Sequence, residues 1–168
     1  RFVKDRGKIR MTGSDQKRFY VTTPIYYVND KPHIGHAYTT LACDVLARFK
    51  RLDGFDVKFL TGTDEHGQKV EKSAQERGVD PQGFTDEVSQ SFRDLTGQLN
   101  FSNTDFMRTT ETRHKETCQM IWQEMLNAGH IYLDKYAGWY AVRDEAYYAE
   151  TEIVDGKAPT GAPVEWVE

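Results

Sequence analysis

Two histidines stand three positions apart in His33-Ile34-Gly35-His36, just after the turn residues Asn29-Asp30-Lys31-Pro32. On a helix that spacing puts both rings on one face. Gly35 between them removes a side chain, so a flat ring can approach the backbone. A helix start also offers unpaired N–H groups and the positive end of the helix dipole to phosphate oxygens. The chemistry available is the binding of nucleotide phosphates. Taken alone, the four-residue pattern also fits two exposed histidines at a helix start with a chance glycine between them.

Such a pair needs a scaffold that delivers it to a ligand, and the flanking sequence supplies one. Phe19-Tyr20-Val21-Thr22-Thr23 is rich in β-branched and aromatic residues and predicts a buried strand ended by Pro24. From Ile34 the apolar residues Ala37, Tyr38, Leu41, Ala42, Val45, Leu46, Phe49 and Leu52 recur at helical steps, predicting an amphipathic helix that closes at Asp53-Gly54. Val57-Lys58-Phe59-Leu60-Thr61 predicts a second strand, which runs through Asp64-Glu65-His66-Gly67 into a helix stopping near Gly78. The unit is β-α-β. A right-handed crossover places both strand ends and the first helix start on one edge, where open α/β sheets bind ligands.

Asp80-Pro81 opens a further helix with Phe84, Val88, Phe92, Leu95 and Leu99 on one face. Another helix is expected over 112–128, burying Cys118, Ile121, Trp122, Met125 and Leu126. After Gly129 the texture changes. His130-Ile131-Tyr132-Leu133, Gly138-Trp139-Tyr140-Ala141 and Ala146-Tyr147-Tyr148 are short aromatic strand candidates, and Val164-Glu165-Trp166-Val167-Glu168 has strand character as well. The expected organisation is a disordered basic tail over 1–17, the first half of a parallel-sheet α/β domain over 18–129, and the start of a β-rich insertion over 130–168. A sheet begun by two strands is too short to be a finished domain, so the chain reads as a fragment.

The 168 residues, 38% hydrophobic and 29% charged, have the balance of an ordinary globular protein. A net charge of −4 excludes a uniformly basic nucleic-acid-binding surface and leaves only local contacts of that kind. Cys43 and Cys118 are isolated within apolar helical patterns and read as buried core thiols, outside any disulfide framework or metal cluster. No apolar run approaches the roughly 18 residues of a membrane span, and no signal peptide is visible. A reducing cytoplasm is the expected compartment.

Tyr20-Val21-Thr22-Thr23-Pro24-Ile25-Tyr26-Tyr27-Val28-Asn29 leads into the histidine pair, and Phe59-Leu60-Thr61-Gly62-Thr63-Asp64-Glu65-His66-Gly67 stands at the next strand end. Together with Tyr38-Thr39-Thr40 and Arg108-Thr109-Thr110, these stretches resemble the Rossmann-like catalytic domain of class I aminoacyl-tRNA synthetases, and within it the methionyl-tRNA synthetases, across residues 18–168. The histidine-x-glycine-histidine signature by itself assigns ATP chemistry only, since relatives acting on other amino acids share it. The flank is sharper. Leucyl, isoleucyl and valyl enzymes usually show consecutive prolines and an Asn-Val-Thr-Gly run there, whereas Thr23-Pro24-Ile25-Tyr26-Tyr27-Val28-Asn29 matches the methionyl pattern.

The resemblance implies a role for each matching position. His33 and His36 correspond to contacts with the ATP phosphates and the transition state, and Gly35 to the adenine platform. Ile25 and Tyr27 correspond to the methionine pocket, and Asp64 to the carboxylate that holds the substrate ammonium. Read from the residues alone, Asp64 serves equally as a helix N-cap ahead of Gln68. The implied reaction activates methionine with ATP and Mg²⁺ and passes it to tRNA(Met), mostly through regions beyond Glu168 that include a Lys-Met-Ser-Lys-Ser-type loop. The fragment alone is therefore expected to be inactive.

One departure from the family is plain. Many methionyl enzymes carry zinc-binding cysteines in the insertion, but Ala141 and Asp144 stand where a Cys-x-x-Cys pair belongs, and Lys157-Ala158-Pro159-Thr160-Gly161 lacks a second pair. No structural zinc is expected. Trp139, Tyr140, Tyr147 and Tyr148 should pack that region, with RNA stacking the alternative use. Two other functions compete with the synthetase reading: a catalytically inactive module that binds a nucleotide or a partner, and another nucleotidyltransferase with the same histidine signature. The methionyl-like flanks argue against the second.

Overall fold

The computed structural model describes residues 17–168 in full and, ahead of them, the backbone of two short strands, β1 (Phe2–Asp5) and β2 (Lys8–Met11), which pair antiparallel. The rest of the tail expected over 1–17 lies outside the described residues. The chain divides into two compact units, residues 1–120 and 121–168.

The first unit is built on a parallel sheet. Strand β3 (Arg18–Thr22) alternates exposed and half-buried side chains and runs parallel to β5 (Asp56–Asp64), with Phe19 beside Val57 and Thr22 beside Leu60. A two-residue strand, β4 (Tyr26–Tyr27), resumes the pairing further along, placing Tyr26 beside Thr63 and Tyr27 beside Asp64. Strand β6 (Asp105–Arg108) pairs with β5 from Leu60 to Thr63. Leu60 and Thr63 thus have partners on both sides, so β3 and β4 share one edge of β5 and β6 takes the other. β6 carries no strand signal in its residues, because Asp105 and Arg108 at its ends lack β propensity.

Helix α1 (Ile34–Leu52) spans the residues expected of it and ends with Lys50 and Arg51 in its last turn, ahead of Gly54 at φ +86°. Helix α2 (Gln68–Arg77) stops at Gly78 in the left-handed conformation. Helix α3 (Pro81–Gln98) is capped by Asp80, whose carboxylate accepts the Gly83 N–H at 2.9 Å. Phe84, Val88 and Phe92 of α3 are buried with Val70, Ala74, Val28 and Phe106. A second cluster joins Ala47 of α1 to Val57 and Phe59 of β5.

The buried face of α1 is not the apolar row read from the sequence. Thr40, Asp44 and Ala47 face inward, while Ile34, Tyr38, Leu41, Val45, Phe49 and Leu52 are exposed, Ile34 by 85% and Leu52 by 90%. Asp44 fixes the rotation of the helix: its carboxylate accepts the Ser102 N–H and hydroxyl, each at 2.6 Å, and pairs with Arg48. The small Ala47 then lets the helix approach Phe59 closely. Helix α4 (Thr112–Asn127) also forms where expected but buries no residue, and Trp122 is 61% exposed. The reading of both cysteines as core thiols is corrected accordingly. Cys118 lies on the exposed α4 surface and Cys43 is half-buried beside the second cluster.

In the second unit, β7 (Gly138–Ala141) is flanked antiparallel by β8 (Ala146–Tyr148) and β9 (Glu165–Val167). The strand expected at 130–133 does not form: Tyr132 and Leu133 lie exposed, with no partner strand against which to bury them. Ala141, Ala158 and Ala162 make a small core with Tyr148 and Val164. Trp139 meets Trp166 edge to face, and Tyr140 lies against Tyr147.

Candidate active site

The start of α1 lies against Tyr26 of β4, the strand that pairs with the carboxyl end of β5. His33 is the N-cap, and its Nδ1 accepts the Gly35 N–H at 3.1 Å. Three residues on, His36 Nδ1 accepts the His33 N–H at 3.0 Å, which closes a capping box made of two imidazoles. The rings stack with centroids 3.8 Å apart and 24° between their planes. Because each Nδ1 accepts a backbone N–H, each neutral ring carries its proton on Nε2, which is left as a donor for a ligand.

His36 favours that neutral form. Burial lowers its pKa from the ordinary 6.5, and the neighbouring His33 lowers it further. Gly35 has a steric reason to be glycine, since a Cβ there would lie 2.9 Å from His33 Cε1 and 3.0 Å from His33 Nδ1. The ring that caps the helix would have to move.

Tyr26 locks this helix start to the sheet and was not singled out from the sequence. Its hydroxyl bonds Thr40 Oγ1 at 2.9 Å and donates to the His36 carbonyl at 3.3 Å. Its ring stacks on Phe92 at 5.7 Å and meets His36 at 4.7 Å. A run of two tyrosines in a strand was the available signal, since neighbours in a strand point to opposite faces. Tyr26 takes the buried face and Tyr27 the open one.

Tyr27 and Asp64 are register partners on parallel strands, so their side chains project from the same face of the sheet. Ile25, two residues before Tyr27, is likewise exposed. The structure thus brings Ile25, Tyr27 and Asp64 to the edge that also carries His33, Gly35 and His36. The alternative use of Asp64 as a helix cap is overturned: the N-cap of α2 is Gly67, with no side-chain cap bond, and Asp64 is the last residue of β5.

Behind Asp64 stands Glu65, with a side chain 0% exposed. Its carboxylate accepts Arg108 Nε at 2.7 Å and Nη2 at 3.0 Å, the Thr63 hydroxyl at 2.8 Å, and the Thr110 hydroxyl. Burial works against its charge, but the bonds from Arg108, Thr110 and Thr63 and the charge of Arg108 hold its pKa below the ordinary 4.5. Arg108 is correspondingly raised. The sequence reading quoted Glu65 and Arg108 inside motifs without assigning either a role.

In the second unit, the positions of the absent cysteines hold other chemistry. Ala141 and Ala158 are buried against each other's neighbourhood, and Asp144 accepts bonds from Thr160, from Tyr148 at 3.0 Å and from Arg143 at 3.0 Å. Among the described residues no group of three or more His, Cys, Asp or Glu is arranged to hold a metal, and no helix is long and apolar enough to cross a membrane. The residues present do not fit a zinc ion.

A parallel β-α-β sheet with a helix start at its carboxyl edge defines a Rossmann-like domain. A family model described as tRNA synthetases class I (M) matches residues 19–163. The methionine–tRNA ligase of Rickettsia felis is 66% identical over 151 residues, covering 89% of this chain and 30% of that protein. The one from Mesorhizobium japonicum is 53% identical over 158 residues, covering 91% of the chain and 31% of the relative. Among solved structures, Mycobacterium tuberculosis methionyl-tRNA synthetase bound by methionyl-adenylate superposes with a TM-score of 0.82 at 49% identity, covering 90% of this chain and 31% of that one. The chain belongs to the methionyl class I tRNA synthetase family, and it spans about 30% of the length of the curated relatives it matches.

Proposed function

We propose that this chain supplies the nucleotide and amino-acid edge of a methionine–tRNA ligase, in which methionine is activated by ATP and then passed to tRNA(Met). The observation that carries the reading is the helix start at which two imidazoles each accept a backbone N–H on Nδ1 and so keep Nε2 for a ligand, beside a strand edge bearing Tyr27 and Asp64. In this reading the methionine carboxylate attacks the α-phosphorus of ATP and pyrophosphate leaves with its Mg²⁺, which belongs to the nucleotide substrate. The adenylate then gives its methionyl group to the terminal adenosine of the tRNA.

No protein nucleophile is needed for either step. His33 and His36 donate to phosphate oxygens as negative charge grows there, the mode of catalysis by positioning and fixed dipoles. Gly35 leaves the backbone open to the adenine ring. Asp64 holds the substrate ammonium by a charge-assisted bond, while Ile25 and Tyr27 wall the thioether side chain. The M. tuberculosis relative, bound by methionyl-adenylate, supports this choice of ligand. The free thiols Cys43 and Cys118 suit a reducing cytoplasm.

The test is methionine-dependent exchange of labelled pyrophosphate into ATP by the protein encoded by the full gene. Exchange with methionine that falls at least a hundredfold in His36→Ala supports the reading. Exchange with no amino acid would overturn it in favour of a nucleotide- or partner-binding module.

A further inference from the structure

Glu65 and the segment Arg108-Thr109-Thr110 take no part in the chemistry above, yet they form the most completely bonded polar cluster at that edge. A carboxylate held out of water is costly unless every lone pair finds a donor. Both Glu65 oxygens do so: Oε1 accepts from Thr63 and Arg108 Nε, and Oε2 from Arg108 Nη2 and Thr110. With those positions filled, Glu65 has no lone pair in hand for a substrate or for proton abstraction. Arg108 and Thr110 lie 43 and 45 residues away in sequence.

The backbone is tied down as firmly as the side chain. The Glu65 N–H donates to Thr109 Oγ1 at 2.9 Å, and His66 Nε2 lies 3.3 Å from the Thr109 carbonyl. Arg108 is itself held by Asp86 of α3 at 2.5 Å. Neighbouring strand residues point to opposite faces. Thr63, the β5 residue before Asp64, turns inward to Glu65 and Ser89, so Asp64 projects from the opposite face, the one it shares with Tyr27, and the anchored Glu65 holds that strand end in place.

We infer that Glu65 and Arg108 are positioning residues of the amino-acid subsite: a buried ion pair that joins the ends of β5 and β6 and aims Asp64 at the substrate ammonium. Neither touches substrate. The inference rests on the proposed role of Asp64. Its energetic sense is that a misplacement of about 1 Å at a reacting centre can cost on the order of a hundredfold in rate. The rigid bidentate fork of arginine supplies that precision where a flexible lysine does not.

The experiment uses the full-length enzyme in methionine-dependent pyrophosphate exchange, with active sites titrated. Glu65→Gln and Arg108→Lys should each raise KM for methionine about tenfold or more while KM for ATP stays within about twofold. In an Asp64→Asn background, Glu65→Gln should change KM for methionine less than about twofold, because the group it aims is gone. Thr110→Val, which removes one bond and keeps the volume, should shift the same constant in the same direction by a smaller factor, and it serves if the charge variants fail to fold.

A loss of active-site titre with both KM values unchanged, equal in the two Asp64 backgrounds, would overturn the positioning role and leave a structural one. If the wild-type enzyme exchanges with methionine but the variants behave that way, only this inference falls. If it exchanges with another amino acid, the methionine assignment falls and the clamp is judged on that amino acid's KM. Exchange with none overturns both.

Discussion

The backbone selects the tautomers of His33 and His36. With each Nδ1 accepting an N–H, the neutral ring carries its proton on Nε2. Gly35→Ala tests that coupling. The new Cβ, 2.9 Å from His33 Cε1, must turn the capping ring away. The lost cap costs about 1 kcal/mol, and the exchange of glycine for alanine in a helix returns about 0.5–1 kcal/mol. Thermal denaturation should therefore change little, while pyrophosphate exchange in the full-length enzyme falls at least tenfold. A matching loss of both would mean that the glycine serves folding alone.

The lowered pKa of His36 has a defined sign. Below its ordinary value of 6.5 the unfolded chain takes up a proton that the folded site resists. The contribution is whole above pH 6.5 and is lost as pH falls through the window between 6.5 and the lower folded value. The melting temperature of His36→Asn should accordingly vary less than that of the wild type across that window. Glu65 behaves alike further down: its ion pair is intact above the ordinary 4.5 and is lost as pH falls through its depressed folded value.

At this scale the histidine pair and Gly35 could be proposed from local spacing, whereas Ile25, Tyr27 and Asp64 were proposed through the family resemblance. Glu65 was not, because its meaning depends on a partner 43 residues away on a strand that lacks strand composition.

Among the elements, β5 is the one on which the others are registered, and Gly62 is where it comes closest to a neighbour. A Cβ at Gly62 would lie 2.0 Å from the Met107 carbonyl oxygen of β6. Backbone cannot rotate aside as a side chain can, so Gly62→Ala must force the two strands apart, at a cost of about 1–3 kcal/mol or more. A melting temperature within a degree of wild type would show that β6 is held from elsewhere. The β-α-β unit and the limits of α1 could be read from periodicity and turn residues. The inward face of α1 could not, because Asp44, a charged residue, turns it by bonding to Ser102, 58 residues away.

The second unit follows the same logic on a smaller scale. Ala141, Ala158 and Ala162 form a buried core with Tyr148 and Val164. A strong chelator should leave its unfolding unchanged, and Ala141→Val should overpack it at a cost of about 1–3 kcal/mol. Circular dichroism melts with and without chelator distinguish a packed core from a metal site.

Across the whole chain, apolar surface is distributed in an unusual way for a stable monomer. Helix α1 turns Ile34, Tyr38, Leu41, Val45, Phe49 and Leu52 outward, and α4 exposes Met120, Ile121, Trp122, Met125 and Leu126. Contiguous apolar faces of this kind mark surfaces meant for contact, and the chain spans about 30% of its curated relatives' length. The helical periodicity that first marked α1 and α4 is real in both cases, and no described residue buries those faces. The 168-residue polypeptide produced by itself should therefore bind a hydrophobic dye strongly and self-associate as its concentration rises, whereas the protein from the full gene should do neither. Replacing Leu41 and Val45 by glutamate should relieve self-association of the short polypeptide without unfolding it, since both side chains are already at least half exposed. In the full-length protein the same pair of charges should lower the melting temperature by several degrees, because burying each unpaired carboxylate is costly. Sedimentation velocity and thermal melts of the four proteins decide it: equal tolerance of the glutamates in both lengths would mean that the α1 face stays in water throughout.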